Sequence, residues 1–200
     1  MKKAIIMDID GTLTNSEKKI SEKTKQKLME IQKKGVLIVL ASGRPDKGLT
    51  DFVKELEMDK HHGIIISFNG AKVIDCETNE VLFDQTMTVE TCKSVLNHMK
   101  NFDVIPMVYK GEYIYVNDVY NNIVHVRGKE LNVIKYEASL GNYKLSEVID
   151  MVDFADYPMN KILTAGEPEY LKANYKEMMK PFADTLNCVF TADMYFEFTE

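Results

Sequence analysis

The sequence predicts an α/β protein in two parts, a parallel sheet with its helices followed by an α+β segment. Apolar runs at residues 4–9, 36–40 and 63–67 alternate with apolar stripes at helical spacing. That β-α-β-α-β order argues for a parallel sheet with right-handed crossovers. After Asn69-Gly70 the pattern changes to short strands in pairs. The chain is also long enough to bury a core, with 200 residues, 45% of them hydrophobic and 28% charged.

The elements follow in order. Residues 4–9 read as a buried strand. Ile20, Thr24, Leu28 and Ile31 then recur at helical spacing behind Ser21, a good N-cap, and Gly35 ends that helix. Residues 36–40 form a second continuous apolar run, as in a strand covered on both faces. Pro45 suits a first helical turn, and Leu49, Phe52, Val53 and Leu56 make the next stripe. A third strand at 63–67 precedes a hairpin of residues 71–75 and 81–84. Residues 88–100 are amphipathic, with Cys92, Val95, Leu96 and Met99 on one face, and 104–109 pairs with 113–116 across Lys110-Gly111-Glu112. The stretch 119–149 holds a strand or two and a short helix. Residues 161–165 form a strand and 167–180 a helix with Pro168 at its start. An antiparallel pair, 186–191 and 195–199, closes the chain. The boundary falls near 84–86, dividing the chain into 1–84 and 85–200.

Composition excludes several function classes. Lys2-Lys3 is followed by only four apolar residues before Asp8, short of the roughly 7–15 of a signal-peptide core. No run approaches the roughly 18 apolar residues of a membrane helix. Twenty-five basic and 31 acidic residues give a net charge of −6 without a basic patch, so neither nucleic acid nor membrane is expected as a partner. Three cysteines are too few and too scattered for a disulfide framework or a zinc site. The expected setting is the cytoplasm.

Asp8-Ile9-Asp10-Gly11-Thr12 stands at the carboxyl end of the first strand, the edge where open parallel sheets bind ligands. Carboxylates two residues apart on an extended segment face one side, and Gly11 permits a sharp exit and close backbone approach to a phosphate. Two solvated acids in a turn are the plain alternative; Gly-Thr directly after an apolar strand argues against it. Ala41-Ser42-Gly43-Arg44-Pro45 ends the second strand and opens a helix. A hydroxyl, an accessible N–H and a helix start together make an anion site, although the same residues serve simple capping. If the two strands are neighbours, the two loops converge.

Other features read more plainly. His61-His62 is a solvated turn, since adjacent loop residues cannot easily converge on one ion. The methionines at helical spacing, Met99 and Met178, are core. Tyr109, Tyr113, Tyr115 and Tyr120 suit either ordinary strand packing or a substrate face. Lys18-Lys19 and Lys33-Lys34 are solvated helix flanks.

Taken jointly, Asp8-x-Asp10-Gly11-Thr12-Leu13, Ser42-Gly43-Arg44-Pro45, Asn69-Gly70-Ala71 and the α+β segment after them resemble the haloacid dehalogenase superfamily, specifically its Cof-type phosphatases with a class IIB cap. The resemblance covers the chain in order. It implies a Rossmann-like core begun by residues 1–84 and an inserted α+β cap at 85–200. It implies hydrolysis of a small phosphorylated metabolite, a sugar or nucleotide phosphate. Asp8 would attack phosphorus and Asp10 would act as general acid and base. Ser42 and the Gly43 amide would hold phosphoryl oxygens, with Thr12 supporting the loop. Arg44, Asn69 and Gly70 would lie nearer the substrate or cap. Mg²⁺ would sit on the Asp8 carboxylate and the Asp10 main-chain carbonyl.

Two family motifs do not occur in these 200 residues: a lysine after the last cap strand and a Gly-Asp-x-x-Asn-Asp stretch. Lys161 opens a strand inside the cap, and Asp184 and Asp193 lack the flanking residues. On this reading the core is incomplete, the first strand becomes an apolar edge, and a polypeptide ending at Glu200 is expected to be nearly inactive. A phosphomannomutase-like phosphotransferase and a non-catalytic phosphate-binding scaffold are the alternatives. The oligomeric state is not legible.

Overall fold

The computed structural model describes residues 3–120 and 122–200 and divides into two compact units, Met1–Asp84 and Gln85–Glu200. In the first, Ser21 caps the leading helix as its sequence suggests, its side chain accepting the Thr24 N–H. The strands are β1 (Lys3–Asp8), β2 (Val36–Ala41), β3 (Ile64–Ser67), β4 (Lys72–Asp75) and β5 (Val81–Asp84), with helices α1 (Glu22–Lys33) and α2 (Thr50–Glu55). They form one sheet in the order β1-β2-β3-β4-β5, with β1, β2 and β3 parallel and the β4–β5 hairpin antiparallel. Ile38, Leu40 and Ile65 on the strands pack with Leu28, Val53 and Leu56 from the helical segments. That burial is the main stabilising contribution in this unit.

The run at 4–9 does not form a buried strand but the apolar edge that the resemblance implies: Lys3, Ala4, Ile5 and Ile6 are exposed, Ile6 at 67%. An apolar run does not distinguish a two-face central strand from an edge. The strand order does, and β1 pairs only with β2 among the described residues.

The second unit contains α3 (Val89–Met99), β6 (Ile105–Lys110), β7 (Tyr113–Val116), β8 (Ile123–Val126), β9 (Lys129–Asn132), α4 (Val133–Ser139), β10 (Lys144–Glu147), α5 (Met151–Phe154), β11 (Lys161–Ala165), α6 (Pro168–Met179), β12 (Asn187–Ala192) and β13 (Tyr195–Thr199). Six strands join in the order β10-β7-β6-β11-β13-β12, and β8–β9 is a separate hairpin. The stretch 119–149 thus holds three strands and a helix, and β10 lies parallel to β7. Alternation along the strands sorts two cores. Val108, Ile162, Phe196 and Phe198 pack with Val95 and Leu96 of α3 and Leu171 of α6. Met107, Leu163 and Tyr195 pack with Val133, Ile134 and Ala138.

On that second face an ion pair is buried. Lys161 Nζ lies 2.9 Å from Glu197 Oε1, with both side chains under 5% exposed. The Thr191 hydroxyl lies 3.1 Å from the same oxygen, and the ammonium sits 5.3 Å from the centre of the Tyr109 ring. Lys161 is therefore committed inside its own sheet.

The β8–β9 hairpin is tied to the start of α6. The His125 main-chain N–H donates to Glu167 Oε1 at 3.0 Å, and His125 Nδ1 lies 2.9 Å from the same oxygen. The hydrogen bond and charge of Glu167 raise the His125 pKa, and the hydrogen bond from His125 lowers that of Glu167. The histidine's contribution is full below its ordinary pKa of about 6.5 and fades as pH rises through its raised folded value. The carboxylate's is present above its ordinary pKa and fades as pH falls through its lowered one. Wild type should therefore exceed His125→Gln in stability most near pH 5–6 and least above the raised histidine pKa. Paired denaturant titrations at those pH values check this; a gap that widens with pH contradicts it.

No helix among the described residues is long and apolar enough to cross a membrane. The three thiols are unpaired. Burial pushes Cys76 up to about 12 and Cys92 up to about 11, so neither is a nucleophile near neutrality.

Candidate active site

Parallel pairing of β1 with β2 sets Asp8 opposite Ala41. The loops that leave the two strands therefore start side by side at one carboxyl edge, the usual ligand edge of such a sheet. The first loop turns at once. The Leu13 N–H donates to the Asp8 carbonyl at 3.1 Å, and the Thr14 N–H and hydroxyl both donate to the Ile9 carbonyl, at 3.0 and 2.9 Å. Ile9 and Leu13 are buried while Asp8, Asp10 and Thr12 remain exposed, so the loop anchors its apolar residues and presents its polar ones. Gly11 makes the turn with φ +84°, a left-handed conformation costly for other residues. An added Cβ there would meet nothing within 4 Å. Gly11→Ala should therefore destabilise by about 1–2 kcal/mol through the backbone alone. Chemical denaturation tests this, and an unchanged midpoint would refute it.

The second loop is laced to the one that follows β3. The Ser42 N–H donates to the Ile66 carbonyl at 2.9 Å, the Asn69 N–H to the Ser42 carbonyl at 3.2 Å, and the Phe68 N–H to the Arg44 carbonyl at 3.0 Å. Phe68, Asn69 and Gly70 are successive residues with positive φ, at 51°, 56° and 103°. Such backbone is sparsely populated for a bulky side chain and persists only where its surroundings hold it. Gly43 is required by contact: a Cβ would fall 2.6 Å from Asn69 Oδ1. Ser42 Oγ accepts the Arg44 N–H at 3.2 Å, which leaves the hydroxyl proton for another acceptor.

The two loops meet at Asp10. Arg44 Nη2 lies 2.9 and 3.0 Å from its two carboxylate oxygens, and Arg44 Nε lies 3.1 Å from Oδ2. Lys18 Nζ lies 2.7 Å from Oδ1. Partial burial raises the Asp10 pKa, but the hydrogen bonds and charges of Lys18 and Arg44 outweigh it and hold the carboxyl below its usual value. The Arg44 side chain is only 11% exposed and lies against the Phe52 ring at 5.6 Å.

The structure thus gathers Asp8, Asp10 and Thr12 on one loop and Ser42, Gly43 and Arg44 on its neighbour, with Asn69 bonded behind the second and Gly70 next to it in the chain. Lys18 corrects the sequence reading: it is no solvated helix flank but a partner of Asp10. Its φ of 61° in a turn built by Asn15 brings it there, and the Asn-Ser before it was the one available signal. Thr14 was also missed; its buried hydroxyl pins the first loop. His62 lies against Asp75 and Glu77 at one side of the β4–β5 hairpin, consistent with a turn.

The donors fit a hard cation. Asp8 and Asp10 offer oxygen only, and one or two carboxylates with waters and substrate phosphate suit Mg²⁺. No cluster of three His, Cys, Asp or Glu side chains able to hold a metal occurs among the described residues.

Comparison with known proteins gives the family and the fold. A family model described as haloacid dehalogenase-like hydrolase matches residues 5–200. A Streptococcus pyogenes serotype M6 protein is 26% identical across 98% of this chain, which spans 69% of that protein's length. The Bacillus subtilis 5-amino-6-(5-phospho-D-ribitylamino)uracil phosphatase YcsE is 28% identical across 56% of this chain and 45% of its own. The crystal structure of a haloacid dehalogenase-like hydrolase from Bacteroides thetaiotaomicron superposes with a TM-score of 0.88 at 27% identity, over 100% of this chain and 71% of that one.

Proposed function

Because the chain belongs to the haloacid dehalogenase-like hydrolases, and to the Cof-type phosphatases among them, we propose that it hydrolyses a small phosphorylated metabolite by way of a phosphoryl group carried on Asp8. The observation that carries this reading is the shared edge: Asp8 and Asp10 leave β1 directly beside the Ser42–Arg44 loop of β2. In the first step an Asp8 oxygen bonds to phosphorus, the bond from phosphorus to the leaving alcohol breaks, and a proton from the Asp10 carboxyl goes to that alcohol oxygen. In the second, water bonds to phosphorus, its proton passes to Asp10 and the Asp8–phosphorus bond breaks. Orthophosphate and both aspartates are returned.

The neighbouring residues serve that cycle. The Ser42 hydroxyl and Gly43 N–H donate to phosphoryl oxygens, and the bonds to Ile66 and Asn69 hold them in place. Arg44 and Lys18 orient Asp10. Negative charge on an arriving substrate draws on the same two cations and eases Asp10 toward the protonated form its acid step requires. The Asp8 carboxylate and the Asp10 main-chain carbonyl would hold Mg²⁺. When bound, that ion offsets the repulsion between an anionic nucleophile and an anionic ester. The residues Gln85–Glu200 would act as the cap that selects the substrate.

Phosphate release from a panel of sugar and nucleotide monophosphates tests the proposal. It should require Mg²⁺, stop on chelation and resume on re-addition. Release insensitive to chelation, or none from any ester with the fold intact, contradicts it.

A further inference from the structure

Lys18 is presented to the site by a dedicated turn. Asn15 Oδ1 accepts the Glu17 and Lys19 N–H groups at 2.9 and 3.1 Å, the Lys18 N–H donates to the Asn15 carbonyl, and the Asn15 N–H donates to the Lys19 carbonyl. Within that turn Lys18 takes a left-handed φ of 61°, a conformation that disfavours a long side chain. Its neighbours behave differently. Lys19 and Glu17 form a loose pair at 3.7 Å with about three-quarters of each side chain exposed, whereas Lys18 reaches back to Asp10 at 2.7 Å. Half of the Lys18 side chain is still open to solvent.

The position of Asp10 tells which side of the substrate Lys18 faces. In the proposed reaction Asp10 delivers its proton to the leaving oxygen, so groups touching Asp10 lie on the leaving-group side of phosphorus. Two cations touch it, Arg44 from the loop after β2 and Lys18 from the Asn15 turn. A leaving alcohol with a negative group near its oxygen would meet both, whereas a neutral one would leave the half-exposed ammonium with Asp10 and solvent alone. We infer that Lys18 is a specificity residue that reads an anionic group on the alcohol portion, so that the substrates are phosphate monoesters carrying a second negative charge. The inference rests on the hydrolase reading and narrows its substrate class.

Matched esters test it with the full chain. 3-Phosphoglycerate differs from glycerol 3-phosphate by a carboxylate in place of a hydroxymethyl group, and 6-phosphogluconate from glucose 6-phosphate mainly by its carboxylate. The ratio of kcat/KM within each pair cancels any general effect of a variant on the chemistry. The same ratio is read as Kd on Asp8→Asn, by calorimetry, without turnover. Wild type should prefer an anionic member by about tenfold, the scale of one charge-assisted hydrogen bond at a partly exposed site. Lys18→Ala should bring that ratio close to one, and Lys18→Arg should keep most of it. A ratio near one in both pairs for wild type, or a preference that survives Lys18→Ala, overturns the inference while leaving the hydrolase reading intact. If no ester is bound or cleaved, the hydrolase reading fails and the inference falls with it.

Discussion

Asp8→Asn should reduce phosphate release to the level of buffer, a loss on the order of 10⁴-fold or more, while the thermal midpoint stays unchanged. The asparagine has the same shape but no charged oxygen to offer phosphorus, and removal of a covalent nucleophile costs rate on that scale. The fold should tolerate it, because Asp8 is exposed and its structural contact, the Leu13 N–H to the Asp8 carbonyl, is made by the main chain. Initial-rate assays with Mg²⁺ present, alongside a melting curve, measure both. Activity within tenfold of wild type would remove Asp8 from the chemistry.

Lys161→Met should destabilise the chain by about 3–5 kcal/mol, because it strands the Glu197 carboxylate without its cation in a dry site. The Thr191 hydroxyl contact to that carboxylate does not replace a charge. The double variant Lys161→Met with Glu197→Leu should recover most of the loss, since well-packed apolar residues often replace a buried pair at little cost. Urea unfolding of the single and double variants measures the coupling. A single variant that costs under about 1 kcal/mol would mean that the pair is wet, as exposed pairs are.

Local features were legible in the sequence. Ser21 caps its helix, because a cap bond spans only three residues. The strand at 161–165 has its expected bounds. The turn after Asp10 was marked by Gly11, whose positive φ needs that residue. Features set by distant partners were not legible. Lys18 resembled any surface lysine until the Asn15 turn carried it to Asp10. Lys161 gave no sign of a partner 36 residues away in Glu197. The exposed edge at β1 depends on strand order, which an apolar run does not encode and which only the family resemblance implied. At 119–149 the short strands and helix interleave too closely for either periodicity to show.

The most direct measurement is the site of a trapped phosphoryl group. The chain is mixed with Mg²⁺ and an activated phosphate monoester, quenched in acid, digested and mapped by mass spectrometry. One phosphoryl group is expected on Asp8 in wild type and none in Asp8→Asn. Hydrolysis of the ester with the label on another residue, or no label under conditions that trap acyl phosphates, would contradict that expectation.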